Sequence, residues 1–172
     1  MKTHSIPFTI RSGGHELFTR SLANHAVTID LREIAYVHID YESQSARIGG
    51  GILIGDLATQ LANAKLATAS GTIPTVGYVG WAIHGGYGLL SAHYGLGVDQ
   101  ILAARVVNAN GDLVDADECM LKGIRGGGGT LGVIVELTIR VYPLEKVRLL
   151  NLSKVARLPE CLFCVLSRYL LE

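Results

Sequence analysis

The sequence predicts an α+β fold, and three observations carry that expectation. The β-prone runs are each followed by their own turn signals and so pair locally. Helical stretches fall between them without the regular strand–helix alternation of a doubly wound sheet. The glycines, 21 in 172 residues, gather in clusters, well above the usual share of about 7%, and so mark places where backbone approaches something closely. A chain of this length is expected to form one domain, burying roughly 70% of the surface its unfolded state exposes. Hydrophobic residues make up 49% and charged residues 17%, which excludes a disordered chain. With 15 basic and 15 acidic residues the net charge is zero. This leaves no electrostatic footprint for a nucleic acid and no basic stripe for an anionic membrane.

Residues 7–10 form a short β-prone run that ends in a glycine turn, and residues 26–31 alternate apolar and polar as a half-buried strand does. A hairpin follows, with residues 36–40 and 46–48 flanking a polar turn, and Gly49, Gly50 and Gly51 ending its second strand. Over residues 53–66 the apolar Ile54, Leu57, Ala58, Leu61, Ala62 and Leu66 recur at helical spacing, with Asp56 near the positive N-terminal end. No face of this helix is rich in charge, so burial on more than one side is expected. Residues 71–97 carry eight glycines, too many for a regular element, and are expected to form loops and short helices pressed against something flat. A second hairpin joins residues 101–109 to 113–115 through Asn110-Gly111. Four glycines at 126–129 then precede a strand over residues 133–142, closed by Pro143. Residues 149–172 are apolar without clean periodicity, and a helix over 159–171 is conceivable there.

Three cysteines, Cys119, Cys161 and Cys164, make no disulfide framework, and the Cys161/Cys164 pair lacks the second ligand pair a metal site needs. No window of about 18 apolar residues reads as a membrane span. Residues 1–7 hold no apolar signal region, so a cytoplasmic location is the default expectation.

The chemistry gathers at the glycine clusters. Gly13 and Gly14 allow bare N–H groups to face anionic oxygens, Arg11 offers a cationic fork, and His15 directly behind them is an imidazole capable of nucleophilic attack. Three such sites argue for one extended ligand held at several points. A loosened G-x-G-x-x-G at residues 80–88 lacks the preceding strand and the ribose-binding acid, and no Gly-Lys-Ser/Thr follows any glycine run. A nicotinamide-linked dehydrogenase and a P-loop enzyme are therefore not supported.

RSGGH at residues 11–15, GTIPTVGYVGWAIHGGYG at 71–88, YGLGVDQI at 94–101 and IRGGGGTLGVIVELTIRVYPL at 124–144 resemble the FAD-binding domain of the vanillyl-alcohol-oxidase superfamily. They are most similar to the berberine-bridge-enzyme-like FAD-linked oxidoreductases. The resemblance covers residues 6–144 and implies an α+β, two-subdomain FAD-binding PCMH-type fold with its first subdomain incomplete. Residues 145–172 then form a tail foreign to the family, in place of the usual substrate domain.

The resemblance also implies site residues. Arg11, Ser12, Gly13 and Gly14 would hold the pyrophosphate of FAD, and His15 would bond the 8α-methyl carbon of the flavin. Thr75, Val76, Gly77, Gly80 and Trp81 match a second cofactor-contacting segment closed by Tyr87 and Gly88. Asp99 matches an acidic position after the next glycine loop, and Gly132, Val133 and Ile134 match a strand at the adenosine end. Val76 and Ile134 also suit a plain core, and Asp99 suits a cap. Some relatives add a second covalent link through a cysteine where this chain has Ile73, so a single bond is implied. Before the four glycines the family's usual stretch is replaced by Met120-Leu121-Lys122-Gly123.

The implied reaction is hydride transfer from a substrate C–H bond to flavin N5, with molecular oxygen as acceptor and a small-molecule substrate of unknown identity. His84, Tyr87, His93 and Tyr94 lie near the flavin-side segment, but none is singled out as a catalytic base. The alternative is a catalytically inert fragment that only binds FAD. A full-length relative could be secreted.

Overall fold

A computed structural model describes residues 6–16 and 21–144. The conceivable helix over 159–171 and the Cys161/Cys164 pair lie outside these residues. Two parallel strands, β1 (Phe8–Arg11) and β2 (Val27–Asp30), form a ribbon with Phe8 opposite Val27 and Arg11 opposite Asp30. The main sheet has five antiparallel strands in the order β3 (Val37–Asp40), β4 (Ser45–Gly49), β8 (Val133–Arg140), β6 (Ile101–Val107), β7 (Leu113–Asp115). A second ribbon pairs β5 (Leu66–Ala67) with β9 (Tyr142–Pro143). The helices are α1 (Ile54–Asn63), α2 (Tyr78–Ile83), α3 (Ser91–Tyr94), α4 (Gly97–Gln100) and α5 (Glu118–Gly127), and a 3₁₀ turn (Gly128–Leu131) leads from α5 into β8.

Side-chain alternation along the strands builds the core. On β4, Ala46 and Ile48 are fully buried whereas Arg47 between them is exposed. Register places Ala46 beside Ile139 and Ile139 beside Ile101, while Ile48 neighbours Leu137 and Leu137 neighbours Ala104. Against these rows pack Leu57 and Leu61 of α1, Tyr78 and Ala82 of α2, and Ile124 of α5. Burial holds the phenol of Tyr78 protonated, and its hydroxyl donates to the Ala69 carbonyl at 3.2 Å.

The three glycines after β4 do more than end a strand. A Cβ on Gly49 would run into the Ile34 carbonyl, one on Gly50 into that of Ile134, and one on Gly51 into that of Leu31. The segment leaving β2 is thereby seated on the main sheet, with Gly50 N–H donating to Val135 at 2.7 Å and Gly51 N–H to Ile34 at 3.0 Å.

Two expectations need correction. Helix α1 is buried along one stripe only, Ile54, Leu57 and Leu61, with Ala58 and Ala62 exposed; alanine is apolar by letter yet too small to require cover. The strand expected over residues 133–142 divides at the buried Val141, so that β8 serves the main sheet and β9 pairs with β5. The stretch before the four glycines lies in α5, started by Asp117, whose Oδ1 accepts the Met120 N–H at 2.7 Å, and the helix is broken by non-helical backbone at Arg125 and Gly126.

Leu137 has no exposed surface at the centre of β8, so L137A is expected to cost about 2–5 kcal/mol of stability, read as a shift in denaturant midpoint. A polar pair gives a second check. Tyr36 Oη donates to Glu136 Oε2 at 2.6 Å, and burial together with that carboxylate pushes the phenol up to about 12. The unfolded phenol titrates near 10, so this contribution is complete below pH 10 and is lost as pH rises from 10 to about 12. Wild-type stability should therefore fall more steeply across that interval than that of Y36F, as measured by urea unfolding at fixed pH.

Candidate functional site

Three chain segments meet around a cleft of about 810 Å³. The end of β1 supplies Ser12, Gly13, Gly14 and His15; the entry to α2 and the helix itself supply Val76, Gly77, Gly80, Trp81 and His84; the turn after α5 and the start of β8 supply Gly127, Gly129, Gly132, Val133 and Ile134. Ile10, Val79 and Ile83 add apolar wall. All three glycine clusters singled out in the sequence thus open onto one space.

The first two segments are joined backbone to backbone. A Cβ on Gly13 would lie 2.5 Å from both Gly77 N and the Thr75 carbonyl oxygen, and one on Gly77 would overlap Ser12 Oγ. No side chain larger than hydrogen fits at either place. Gly14 has φ +73°, a left-handed conformation that turns the chain so that His15 follows at the rim. His15 Nε2 lies 2.8 Å from Thr75 Oγ1.

Other glycines face the cleft for no internal reason. Gly80, inside α2, has no atom within 4 Å of where its Cβ would be, and the same holds for Gly127 and Gly129. The φ angles of Gly127 and Gly129 are −83° and −82°, open to any residue. Space has been kept at these positions without a demand from the fold.

The expected residues divide accordingly. Eleven of them line the cleft, namely Ser12, Gly13, Gly14, His15, Val76, Gly77, Gly80, Trp81, Gly132, Val133 and Ile134. Thr75 stands at its edge through His15. Arg11 lies beneath the turn with its Nε buried and without a hydrogen-bond partner, against the underside of Gly14. Tyr87, Gly88 and Asp99 fall outside the lining: Tyr87 is 81% exposed, a Cβ on Gly88 would strike the Ser70 carbonyl, and Asp99 Oδ2 accepts the Leu96 N–H at 2.8 Å as the cap of α4.

Of the four side chains near the flavin-side segment, only His84 reaches the cleft, its Nδ1 2.7 Å from the Gly80 carbonyl and its ring against Gly128. Tyr94 stacks on Tyr142 at 3.8 Å and edges His93 at 4.6 Å, in a cluster tied to the buried Gln100. Residues 127 and 129 were not picked out individually from the sequence, although the four-glycine run was the signal for them.

The flat object expected beneath residues 71–97 includes a side chain of the same segment. Cβ atoms on Gly71, Gly86 and Gly97 would each come within 3.1 Å of the Trp81 indole, and Trp81 Nε1 donates to the Tyr87 carbonyl at 3.1 Å. These three glycines serve internal packing, whereas Gly80, Gly127 and Gly129 do not.

This donor set fits a phosphate-bearing cofactor such as FAD. The orphaned Arg11 Nε needs an acceptor, the Gly13–Gly77 contact forms a side-chain-free cradle, and the apolar walls suit a flat ring system. Among the described residues no group of His, Cys, Asp and Glu is arranged to hold a metal ion, and no helix is long and apolar enough to cross a membrane.

Stability should separate the two classes of glycine. G13A forces backbone apart and is expected to lose about 1–3 kcal/mol or more. G80A, in open space within a helix, should be neutral or gain up to about 1 kcal/mol; thermal melts of both variants check this.

Comparison with known proteins agrees with the geometry. A model of the FAD binding domain matches residues 1–117. The chain is 36% identical over 147 residues to (R)-6-hydroxynicotine oxidase of Paenarthrobacter nicotinovorans, covering 83% of this chain and 32% of that protein. It is 41% identical over 145 residues to an FAD-linked oxidoreductase, aurO, of Gibberella zeae, covering 83% and 29% respectively. The fold superimposes on a variant of berberine bridge enzyme with a TM-score of 0.79 and 33% identity, over 83% of this chain and 30% of that one. The chain thus spans less than a third of the length of these relatives. It belongs to the FAD-binding, PCMH-type domain family of the vanillyl-alcohol-oxidase superfamily, among the berberine-bridge-like FAD-linked oxidoreductases.

Proposed function

We propose that this chain is the FAD-binding core of an oxidase-type, FAD-dependent oxidoreductase, with His15 as the single covalent anchor of the cofactor. The observation that carries the reading is the convergence of the three glycine segments on one cleft, with the unpartnered Arg11 Nε below the turn and His15 at the rim. Bound there, FAD would supply a two-electron acceptor at flavin N5 for a hydride from a substrate C–H bond, and molecular oxygen is the acceptor that closes the cycle.

The residues have distinct tasks. Arg11 and the N–H groups of the Ser12–Gly14 turn hold the pyrophosphate, with Gly77 behind them. Gly80, Gly127 and Gly129 leave backbone bare where the cofactor comes close. Gly132, Val133 and Ile134 line the adenosine end. Thr75 and Trp81 hold the second segment in place, and Ile73, where some relatives carry a cysteine, limits attachment to one bond. Tyr87, Gly88 and Asp99 support that segment from outside the cleft. The domain runs over residues 6–144.

The full-length relatives act as oxidases and oxidoreductases by name, and at a third of their length this chain has a second reading, an FAD-binding fragment without turnover. Purification distinguishes the outcomes. Protein that is yellow and keeps its flavin through acid precipitation supports the anchor, and H15A should abolish the acid-stable flavin. A colourless product even after refolding with FAD would sink the binding claim, and yellow protein whose flavin is reduced by none of the substrates offered favours the inert fragment. G80A should weaken FAD binding by about tenfold or more while keeping its melting temperature, because a methyl group placed in contact space costs on the order of 1–3 kcal/mol.

A further inference from the structure

We propose that His84 recognises the nucleotide half of the cofactor, its Nε2 accepting a hydrogen bond from a ribose hydroxyl of the adenosine; this rests on the FAD reading above. Nδ1 lies 2.7 Å from the Gly80 carbonyl oxygen, which can only accept, so the proton of the neutral ring is on Nδ1. Nε2 is then left as an acceptor. It has no hydrogen-bond partner among the described residues, and the side chain lines the cleft. An acceptor placed this way calls for a hydroxyl or an N–H from the occupant, which a phosphate oxygen does not offer.

The approach to that nitrogen is kept clear. A Cβ on Gly128 would stand 2.5 Å from Nε2 and nearly equidistant from the two carbons beside it, 3.1 Å from Cε1 and 3.2 Å from Cδ2. Any side chain at 128 would therefore crowd Nε2. Gly127 and Gly129 on either side also face empty space. Because Gly80 holds the opposite edge of the ring, the open nitrogen has a fixed direction.

Position along α2 decides which part of an extended ligand arrives there. The entry to the helix carries Thr75, bonded to His15, and Gly77, seated on Gly13. His84 stands at the other end, past Tyr78–Ile83 and roughly 9 Å further along the axis. Gly128, against which its ring lies, comes four residues before Gly132, where the β8 wall of the cleft begins. With the flavin anchored at the entry, the far end receives the nucleotide. The ribose is the part of it that adjoins the pyrophosphate, and it brings two hydroxyl donors.

The test uses the full chain carrying H15A, so that binding stays reversible, titrated calorimetrically with FAD, FMN, ADP and 2′,3′-dideoxy-ADP. The same titrations are repeated with H84F or H84Q added, and melting temperatures verify folding. Phenylalanine keeps a ring against Gly128 without its nitrogens, whereas the glutamine amide restores an acceptor near the place of Nε2. H84F is expected to weaken FAD and ADP by about tenfold, the upper end of a neutral hydrogen bond's net contribution, and to leave FMN unchanged. H84Q should recover part of that loss. ADP should bind the parent about tenfold more tightly than its dideoxy analogue, and H84F should bind the two alike.

FMN weakened as much as FAD would place the contact on the flavin half and overturn this proposal. A preference for ADP over dideoxy-ADP that survives in H84F also overturns it, while leaving FAD as cofactor. A parent chain that binds none of FAD, FMN and ADP removes the cofactor reading, and this proposal with it. Should H84F fail to fold, equal binding of ADP and dideoxy-ADP by the parent is still decisive against it.

Discussion

The site depends on one contact, the seating of Gly13 against Thr75, Val76 and Gly77. Two loops about 60 residues apart in sequence lie backbone on backbone, which is feasible only while both Gly13 and Gly77 lack a Cβ. Among the described residues, Phe8 and Val27 of the parallel β1–β2 ribbon are both exposed, and glycine contacts seat both of its ends. Gly49, Gly50 and Gly51 seat the segment leaving β2, and Gly13 seats the turn leaving β1. Both ends of the ribbon are therefore held by close approach, the kind of contact that loses alignment abruptly when one methyl group is added.

The same reasoning sorts glycines that look alike in the sequence. Gly71, Gly86 and Gly97 surround the Trp81 indole, and Gly86 also needs its φ of +73°. Their role would be complete in the absence of any ligand. Gly80, Gly127 and Gly129 meet no atom and have backbone angles that alanine adopts easily, so nothing in the fold explains them. A helix interior with glycine in place of alanine is costly by about 0.5–1 kcal/mol, and α2 carries this cost at Gly80, on the face turned to the cleft. Such a penalty is understandable where a cofactor must come nearer than a methyl group allows.

What the sequence made legible was local. The two hairpins, the α1 periodicity and the crowding of glycines over residues 71–97 all follow from neighbours a few positions apart. Pairing of β4 with β8, across about 90 residues, has no local marker, and neither does the parallel register of β1 with β2. The bounds of α5 were not legible, although Asp117 three residues before Met120 was a readable cap, because its end is set by the backbone turn at Arg125 and Gly126. At the site, the glycines and His15 were visible through their pattern and their resemblance to a family. The His15–Thr75 bond and the distinction between packing glycines and cleft glycines were not, since both depend on which segments the fold brings together.

Placing the imidazole on a turn rather than in the core has a chemical reason. For the proposed attachment the ring must stay open to the cleft, which a His15 enclosed by apolar side chains would not be. On the rim it faces the cleft and meets Thr75, but an exposed side chain samples many rotamers, and ordering one costs up to about 1–2 kcal/mol. The chain meets that cost beforehand: Gly14 turns the backbone once in the left-handed region, Gly13 fixes where the turn starts, and Thr75 engages one ring nitrogen. Orientation of this kind lowers a barrier without adding a functional group, because the reacting atoms need not search for one another. The backbone contact that shapes the cleft thus also fixes where an exposed histidine stands at its rim.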